Sequence, residues 1–291
     1  MENFEFLLVE RASRLPREWH RLDRCTSGSA FIAGPNASQA AGVESLYFAQ
    51  RRDLRAGRYG LPIRATPPEI KQAFSEYLYE GLFDNADIWA QLGSTGFNRA
   101  AFHDNYRKDN QYPSACPYCD LDTINGQGNY IVEHFLPRTH FPLLSLDSFN
   151  LFTACNACNT APAGKGVRVV PSAGSPYFIQ AGDHLRFTRD DRLLTISLAP
   201  ERSFPPVGGL IGLLQLHVRY GTPNSYYQLR GRTGAFEQAM DPLLASGHQF
   251  DPDFVIGYIS QFNAGAPLFF ALRSWVRHEY IPGMRHRAGV T

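Results

Sequence analysis

The spacing of apolar residues predicts that helices predominate in this chain. Apolar positions recur every three or four residues after Pro67-Pro68 and again from residue 97, as they do on the inner face of a helix. Asp241-Pro242 and Asp251-Pro252 each join a good N-cap residue to one that suits the first helical turn, so each predicts a helix start. The predicted helices cover residues 67–83, 97–108, 225–240, 252–262 and 267–280.

Shorter runs rich in β-branched and aromatic residues predict strands in the middle of the chain. These runs lie at residues 130–134, 150–153, 167–170, 184–188 and 193–198. The expected fold class is therefore α+β, with a small strand-containing core embedded in a mostly helical chain. Three consecutive regions are predicted: a mostly helical region with Arg-rich segments at 1–96, the core at 97–170, and short strands followed by helices at 171–291.

Arginine is concentrated near the N-terminus, although the chain as a whole is almost neutral. The net charge is +1, which is not typical of a strongly basic nucleic-acid binder, so binding to DNA would need local patches or a partner. One set of arginines recurs at helical spacing: Arg11, Arg14, Arg17, Arg21 and Arg24. This set is more typical of a solvated face than of a phosphate-binding stripe, which stays the alternative.

The composition is that of an ordinary globular protein. The hydrophobic share is 44% and the aromatic share is 13%, enough to bury a substantial core. The N-terminus shows no basic segment followed by an apolar run, so no secretory signal is predicted. The longest apolar stretches are much shorter than a membrane span. The expected location is the cytoplasm, without a membrane partner.

Four of the five cysteines form two C-x2-C pairs, which are Cys116 with Cys119 and Cys155 with Cys158. In an intracellular protein this spacing indicates a metal site rather than disulfides. Four thiolates match a tetrahedral structural zinc site that leaves no position for substrate. The fifth, Cys25, has no predicted role. The cysteines alone are equally compatible with a zinc-stabilised binding or adaptor module that has no catalytic activity.

An ordered set of polar residues lies between and after these pairs. Tyr130-Ile-Val-Glu133-His134-Phe-Leu-Pro137-Arg138 predicts a strand that ends in an acid–histidine pair and continues into a loop. Asn150-Leu-Phe-Thr predicts a second strand, which leads into the second cysteine pair, Asn159 and Lys165. As an ordered set these residues resemble the HNH, or ββα-metal, endonuclease family. The resemblance covers residues 112–166, about a fifth of the chain.

The resemblance implies a zinc-stapled ββα-metal core and a role for each matching residue. His134 would be the general base, because a neutral imidazole can accept a proton from water near neutral pH. Glu133 and the side-chain oxygen of Asn159 would bind a catalytic Mg²⁺ or Mn²⁺, a cation that prefers oxygen ligands. Asn150 would brace the loop and orient the histidine.

Two basic residues complete the set that the resemblance assigns. Arg138 and Lys165 would contact the substrate phosphate, and a solvated charge beside a turn is the alternative for each. The segment 160–165 includes Pro162 and Gly164, which are both unfavourable inside a helix. The helix after the second cysteine pair is therefore expected to be short.

The expected function is metal-dependent hydrolysis of DNA phosphodiester bonds. The motif is similar to that of stand-alone bacterial HNH proteins of anti-phage systems, such as the Septu and retron-associated nucleases. That similarity implies a nuclease effector that acts with an ATPase or another defence subunit. Cutting both strands would need a homo-oligomer or two successive nicks. The alternatives are the non-catalytic zinc module and a secreted antibacterial nuclease toxin with the same chemistry.

Overall fold

The computed structural model describes residues 37–59, 68–91, 95–111, 113–126, 128–160, 164–245, 251–263 and 265–287. Helices predominate, and the strands form two small sheets of two strands each. The predicted mixture of helix and strand is confirmed. The five spaced arginines of the N-terminal segment and Cys25 lie outside the described residues. In the part of the chain that is described, no helix has both the length and the apolar character needed to cross a membrane.

The helices and strands are numbered in chain order. The helices of the first half are α1 (Ala37–Arg55), α2 (Pro68–Lys71), which continues as a π-helix (Gln72–Leu82), α3 (Ala86–Gln91), α4 (Arg99–Asp109) and α5 (Asn156–Asn159). Those of the second half are α6 (Pro205–Leu214), α7 (Leu216–Tyr220), α8 (Pro223–Ala245), α9 (Pro252–Asn263), α10 (Phe269–Trp275), which continues as a π-helix (Val276–Tyr280), and α11 (Ile281–Arg287). The strands are β1 (Tyr130–His134), β2 (Leu151–Cys155), β3 (Leu185–Asp190) and β4 (Thr195–Pro200).

The chain forms two compact units that are interleaved along the sequence. The first unit is built from described residues within 1–110, 131–153 and 166–178. The second unit is built from described residues within 111–130, 154–165 and 179–291. The three regions that the sequence predicts are consecutive rather than interleaved, and that division stays a prediction.

In the first unit, the inner face of the helix at 68–82 is buried, as its apolar spacing predicts. Ile70, Phe74 and Leu78 are all 6% exposed or less. This helix packs against the 3₁₀ turn Pro142–Leu144, whose residues are themselves buried. That turn belongs to the loop between β1 and β2, so helix packing fixes the position of the loop.

In the second unit, β3 and β4 pair antiparallel, with Leu185 opposite Pro200. Leu185 and Phe187 are buried while their neighbours along β3 are exposed, which is the alternation of a strand with one solvated face. The Phe187 amide donates to Ser274 Oγ on α10 at 2.9 Å. Both strands lie within two residues of their predicted positions.

Two local predictions are wrong for reasons that the structure shows. Residues 167–170 form a turn and irregular backbone instead of a strand, because no described strand pairs with them. Asp241-Pro242 does not start a helix, since Pro242 lies inside α8. Pro242 is three residues from the end of that helix, so the hydrogen bond that it removes lies near the C-terminal end. Asp251 does cap α9 as predicted, accepting from the amide of Asp253 at 3.0 Å.

Candidate functional site

The four paired cysteines converge on one point in the second unit. All four are buried, and their sulfur atoms lie within 4.8 Å of one another. The sulfurs of Cys116 and Cys158 are 3.9 Å apart, as are those of Cys119 and Cys155. Tetrahedral zinc with Zn–S bonds of about 2.3 Å requires sulfur separations of roughly 3.8 Å. The predicted cysteine cluster is thus present and its dimensions suit zinc.

Backbone amides and burial make this cluster a site for a cation. The amides of Cys155 and Leu121 point to the sulfurs of Cys116 and Cys119, at 3.3 Å and 3.4 Å. Such N–H···S contacts stabilise thiolates. Burial raises the pKa of Cys116 well above its ordinary value, so without a cation this thiol stays protonated at neutral pH. A bound metal ion is what would hold all four sulfurs as thiolates.

The second cysteine pair depends on a glycine that follows it. Helix α5 is a single turn between Cys155 and Thr160, as short as the sequence predicts. The Lys165 amide then donates back to the Cys158 carbonyl at 2.6 Å. A β-carbon at Gly164 would overlap the carbonyl oxygens of Ala157 and Cys158. Only glycine allows the chain to return this closely to the metal ligand.

Arg219 also contacts the sulfur cluster, and no motif in the sequence predicts this contact. Its Nη1 donates to the sulfur of Cys158 at 2.7 Å, and its Nη2 pairs with the Asp122 carboxylate. Burial lowers the pKa of Arg219, but the nearby thiolates and Asp122 raise it, and the net effect is an increase. The guanidinium thus offsets part of the negative charge of four thiolates. Arginine is so common in this chain that residue type alone could not single out Arg219.

In the first unit, His134 is held by a backbone carbonyl of the loop that follows β1. Its Nε2 lies 2.9 Å from the Ser145 carbonyl oxygen, and both residues are buried. A carbonyl oxygen only accepts, so Nε2 is the donor and carries the hydrogen. In the neutral ring Nδ1 is therefore the basic nitrogen. The loop selects one tautomer of the imidazole.

Asn150 ties that loop together with three hydrogen bonds. Its Oδ1 accepts from the Leu136 amide at 2.7 Å, and its Nδ2 donates to the carbonyls of Leu136 and Leu144 at 3.0 Å and 3.1 Å. Asn150 is fully buried. Leu144 directly precedes Ser145, the residue that holds His134. Asn150 therefore fixes the backbone that sets the orientation of the imidazole.

Tyr79, from the π-helix of the first unit, is a second neighbour that the sequence did not reveal. Its ring centroid is 4.4 Å from that of His134, in an edge-on arrangement. The guanidinium carbons of Arg99 and Arg138 lie 4.9 Å and 5.4 Å from its ring centre. Burial raises the pKa of Tyr79, Arg99 and Arg138 lower it and Glu133 raises it weakly; the net effect is an increase, so the hydroxyl stays neutral. Tyr79 thus lies among several of the predicted site residues.

Glu133 and Arg138 also belong to the first unit. Glu133 is only 6% exposed, at the end of β1 beside His134. Arg138 is bound within its own unit, because it pairs with Glu80 at 2.5 Å and donates to Ser75 Oγ at 2.9 Å. Contact with a phosphate would therefore take place beside the Glu80 carboxylate.

The remaining predicted residues, Asn159 and Lys165, lie in the second unit. Asn159 is the half-buried last residue of α5. Lys165 is 1% exposed, so it is enclosed rather than a solvated charge. The assignment of Glu133 and Asn159 to one catalytic ion stays a prediction. In comparisons with known proteins the chain matches no family model, no curated protein and no solved structure.

Proposed function

We propose that this protein is a divalent-metal-dependent endonuclease of the HNH type with a separate structural zinc. The observation that carries the proposal is the contact between His134 and the Ser145 carbonyl, next to the backbone that Asn150 fixes. An imidazole held in one tautomer, with the other ring nitrogen basic, is suited to act as a general base. This geometry supports the ordered motif on which the resemblance rests.

In the proposed reaction, a water molecule attacks the phosphorus atom and its proton passes to Nδ1 of His134. The bond from phosphorus to the leaving oxygen then breaks, and that oxygen takes a proton from solvent water to become a hydroxyl group. Glu133 supplies a carboxylate oxygen, the ligand type that Mg²⁺ and Mn²⁺ prefer. The cation, when bound, would offset the charge that builds up on the phosphate and the leaving oxygen. Asn150 acts through the loop as a positioning residue and does not touch the reacting atoms.

The zinc is proposed to have a structural role only. Four thiolates complete a tetrahedral shell, so no coordination position remains for water or substrate. Of the residues that the resemblance assigns to phosphate, Arg138 is kept in the proposal and Lys165 is not, because Lys165 is enclosed. A cysteine–zinc site is most stable in a reducing compartment, which favours action in the cytoplasm.

The biological setting rests on the motif resemblance alone. We propose DNA as the substrate and a role as the nuclease effector of an anti-phage system, with an ATPase or another subunit as partner. The near-neutral charge is consistent with a partner that brings DNA to the enzyme. If the purified chain cuts DNA at full rate without any co-purifying subunit, the partner is not needed.

The test is cleavage of supercoiled plasmid by zinc-loaded protein with Mg²⁺, with Mn²⁺ or without an added divalent ion. We expect cleavage only when Mg²⁺ or Mn²⁺ is present. Glu133→Ala should abolish it, while Glu237→Ala, which removes an exposed carboxylate, should not. A protein that binds zinc and folds but cuts nothing with either ion, even when any co-purifying subunit is added back, would instead be the non-catalytic zinc module.

A further inference from the structure

One part of the first unit combines aromatic rings with arginine at the surface. Tyr177 and Phe178 are 37% and 38% exposed. Phe149 lies between them and α1, with ring centroids 6.0 Å from Tyr177 and 5.7 Å from Phe178. Tyr106 of α4 extends the row, 6.4 Å from Tyr177. These four rings and Arg55 are called the aromatic–arginine surface.

Arg55 gives this surface a positive charge. Its guanidinium carbon lies 4.6 Å from the centre of the Phe149 ring. Among the described residues no carboxylate pairs with Arg55. The nearby Asp147 is buried and paired with Arg51 at 3.1 Å, so its charge is already balanced. An exposed cation held against a ring remains able to pair with an anion.

The geometry of the rings leaves them available to a flat ligand. The Tyr177 hydroxyl donates inward to the Leu151 carbonyl at 2.6 Å, so its ring is anchored from behind. Phe149 and Tyr177 meet at 83°, and Tyr106 and Tyr177 at 87°. These pairs are edge-on rather than stacked face to face, and Tyr177 and Phe178 each keep more than a third of their surface exposed. Anchored rings beside a cation are the arrangement on which unpaired bases stack while phosphates meet arginine.

We propose that the aromatic–arginine surface binds single-stranded nucleic acid. The bases of a duplex are stacked inside it and cannot reach these rings, whereas the bases of a single strand can. The proposal deepens the proposed function, on which it rests, because it adds a contact for unpaired bases in the DNA that the enzyme cuts. Both DNA and RNA offer the same bases and phosphates, and the surface does not distinguish them.

The test is the fluorescence anisotropy of labelled 20-nucleotide oligo-dT, oligo-U and a 20-base-pair duplex with zinc-loaded full-length protein and no added Mg²⁺. We expect both single strands to bind more tightly than the duplex. Phe178→Ala and Arg55→Ala should each weaken binding of the single strand, with a loss for the ring of about fivefold to 100-fold. The matched controls are Phe254→Ala, which removes a ring 41% exposed elsewhere, and the exposed Arg192→Ala.

These measurements test strand binding independently of nuclease activity, because binding is measured without cleavage. The proposal that this surface binds a single strand would be overturned if Phe178→Ala and Arg55→Ala both kept wild-type affinity. Tighter binding of the duplex would also overturn it, even if the protein cuts DNA. Equal losses in the controls would also overturn it. Weakened binding in the two variants supports it even if no cleavage is found. The ratio of oligo-dT to oligo-U affinity then shows which of the two strands is preferred, although they differ in the thymine methyl group as well as in the sugar.

Discussion

At the scale of single residues, the candidate site depends on what surrounds His134. The motif could indicate this histidine and Asn150 from the sequence, because both are matching residue types in a fixed order. It could not indicate the acceptor at Ser145, because any residue can supply a backbone carbonyl. Tyr79 precedes His134 by 55 positions, and only the packing of the π-helix brings the two rings together. The residue types were predictable, whereas the contacts made through backbone and packing were not.

Replacing Asn150 tests whether the loop orients the imidazole. Asn150→Ala leaves a buried amide and two buried carbonyls without their partner, so we expect the free energy of unfolding to fall by about 3 kcal/mol. DNA cleavage should be lost while bound zinc remains. Urea unfolding, zinc content and plasmid cleavage measure these three effects. An Asn150→Ala protein that is stable and fully active would show that the hydrogen bonds of Asn150 are not needed to orient His134.

At the scale of elements, the turn between the second cysteine pair and Lys165 is fixed by glycine. We expect Gly164→Ala to destabilise the protein and weaken zinc retention, because the added methyl group overlaps two carbonyl oxygens. Gly208→Ala is the matched control, since a β-carbon at Gly208 in α6 has open space and alanine favours helix. Thermal unfolding and zinc release to a chelator compare the two variants. Equal behaviour would contradict the proposed close approach.

The contact between Arg219 and the cysteine cluster predicts an effect on metal affinity. Arg219→Ala removes a donor to Cys158 and the partner of Asp122, so we expect zinc affinity to fall by about 10-fold to 100-fold. Arg230→Ala, which removes an exposed arginine from α8, should leave it unchanged. Competition with a chromophoric chelator measures both. Unchanged affinity in Arg219→Ala would show that the guanidinium does not balance the thiolates.

The elements themselves were predictable to different degrees. The strands β1 and β2 and the short α5 follow from a local pattern of residues, and the structure has each of them. The run at 167–170 has the composition of a strand but lacks a described neighbour to pair with. Pro242 has the residue type of a helix start, yet α8 continues past it. The local sequence does not show whether a strand finds a partner or whether the neighbouring turns keep a helix going past a proline.

At the scale of the whole molecule, the interleaving of the two units was beyond prediction from sequence. The sequence indicates neighbouring regions one after another, whereas the chain leaves the first unit at residue 110, re-enters it at 131 and again at 166. Long-range contacts decide such a division. The same contacts place the sulfur cluster in one unit and His134 in the other.

A chain with a single catalytic histidine should cut one strand at a time. We expect supercoiled plasmid to become nicked circles first and linear molecules only later, because one general base activates one water. A time course on agarose gels distinguishes this order from direct linearisation. Linear product that forms without a nicked intermediate would indicate that two copies of the chain act together.

The proposed mechanism depends on His134 accepting the proton of the attacking water. The most direct measurement is the plasmid cleavage rate of zinc-loaded His134→Ala beside wild type and His217→Ala, which removes an exposed histidine. We expect a loss of about 100-fold to 10,000-fold in His134→Ala, with zinc content and circular dichroism unchanged and His217→Ala fully active. Cleavage by a folded His134→Ala protein at the wild-type rate would contradict it.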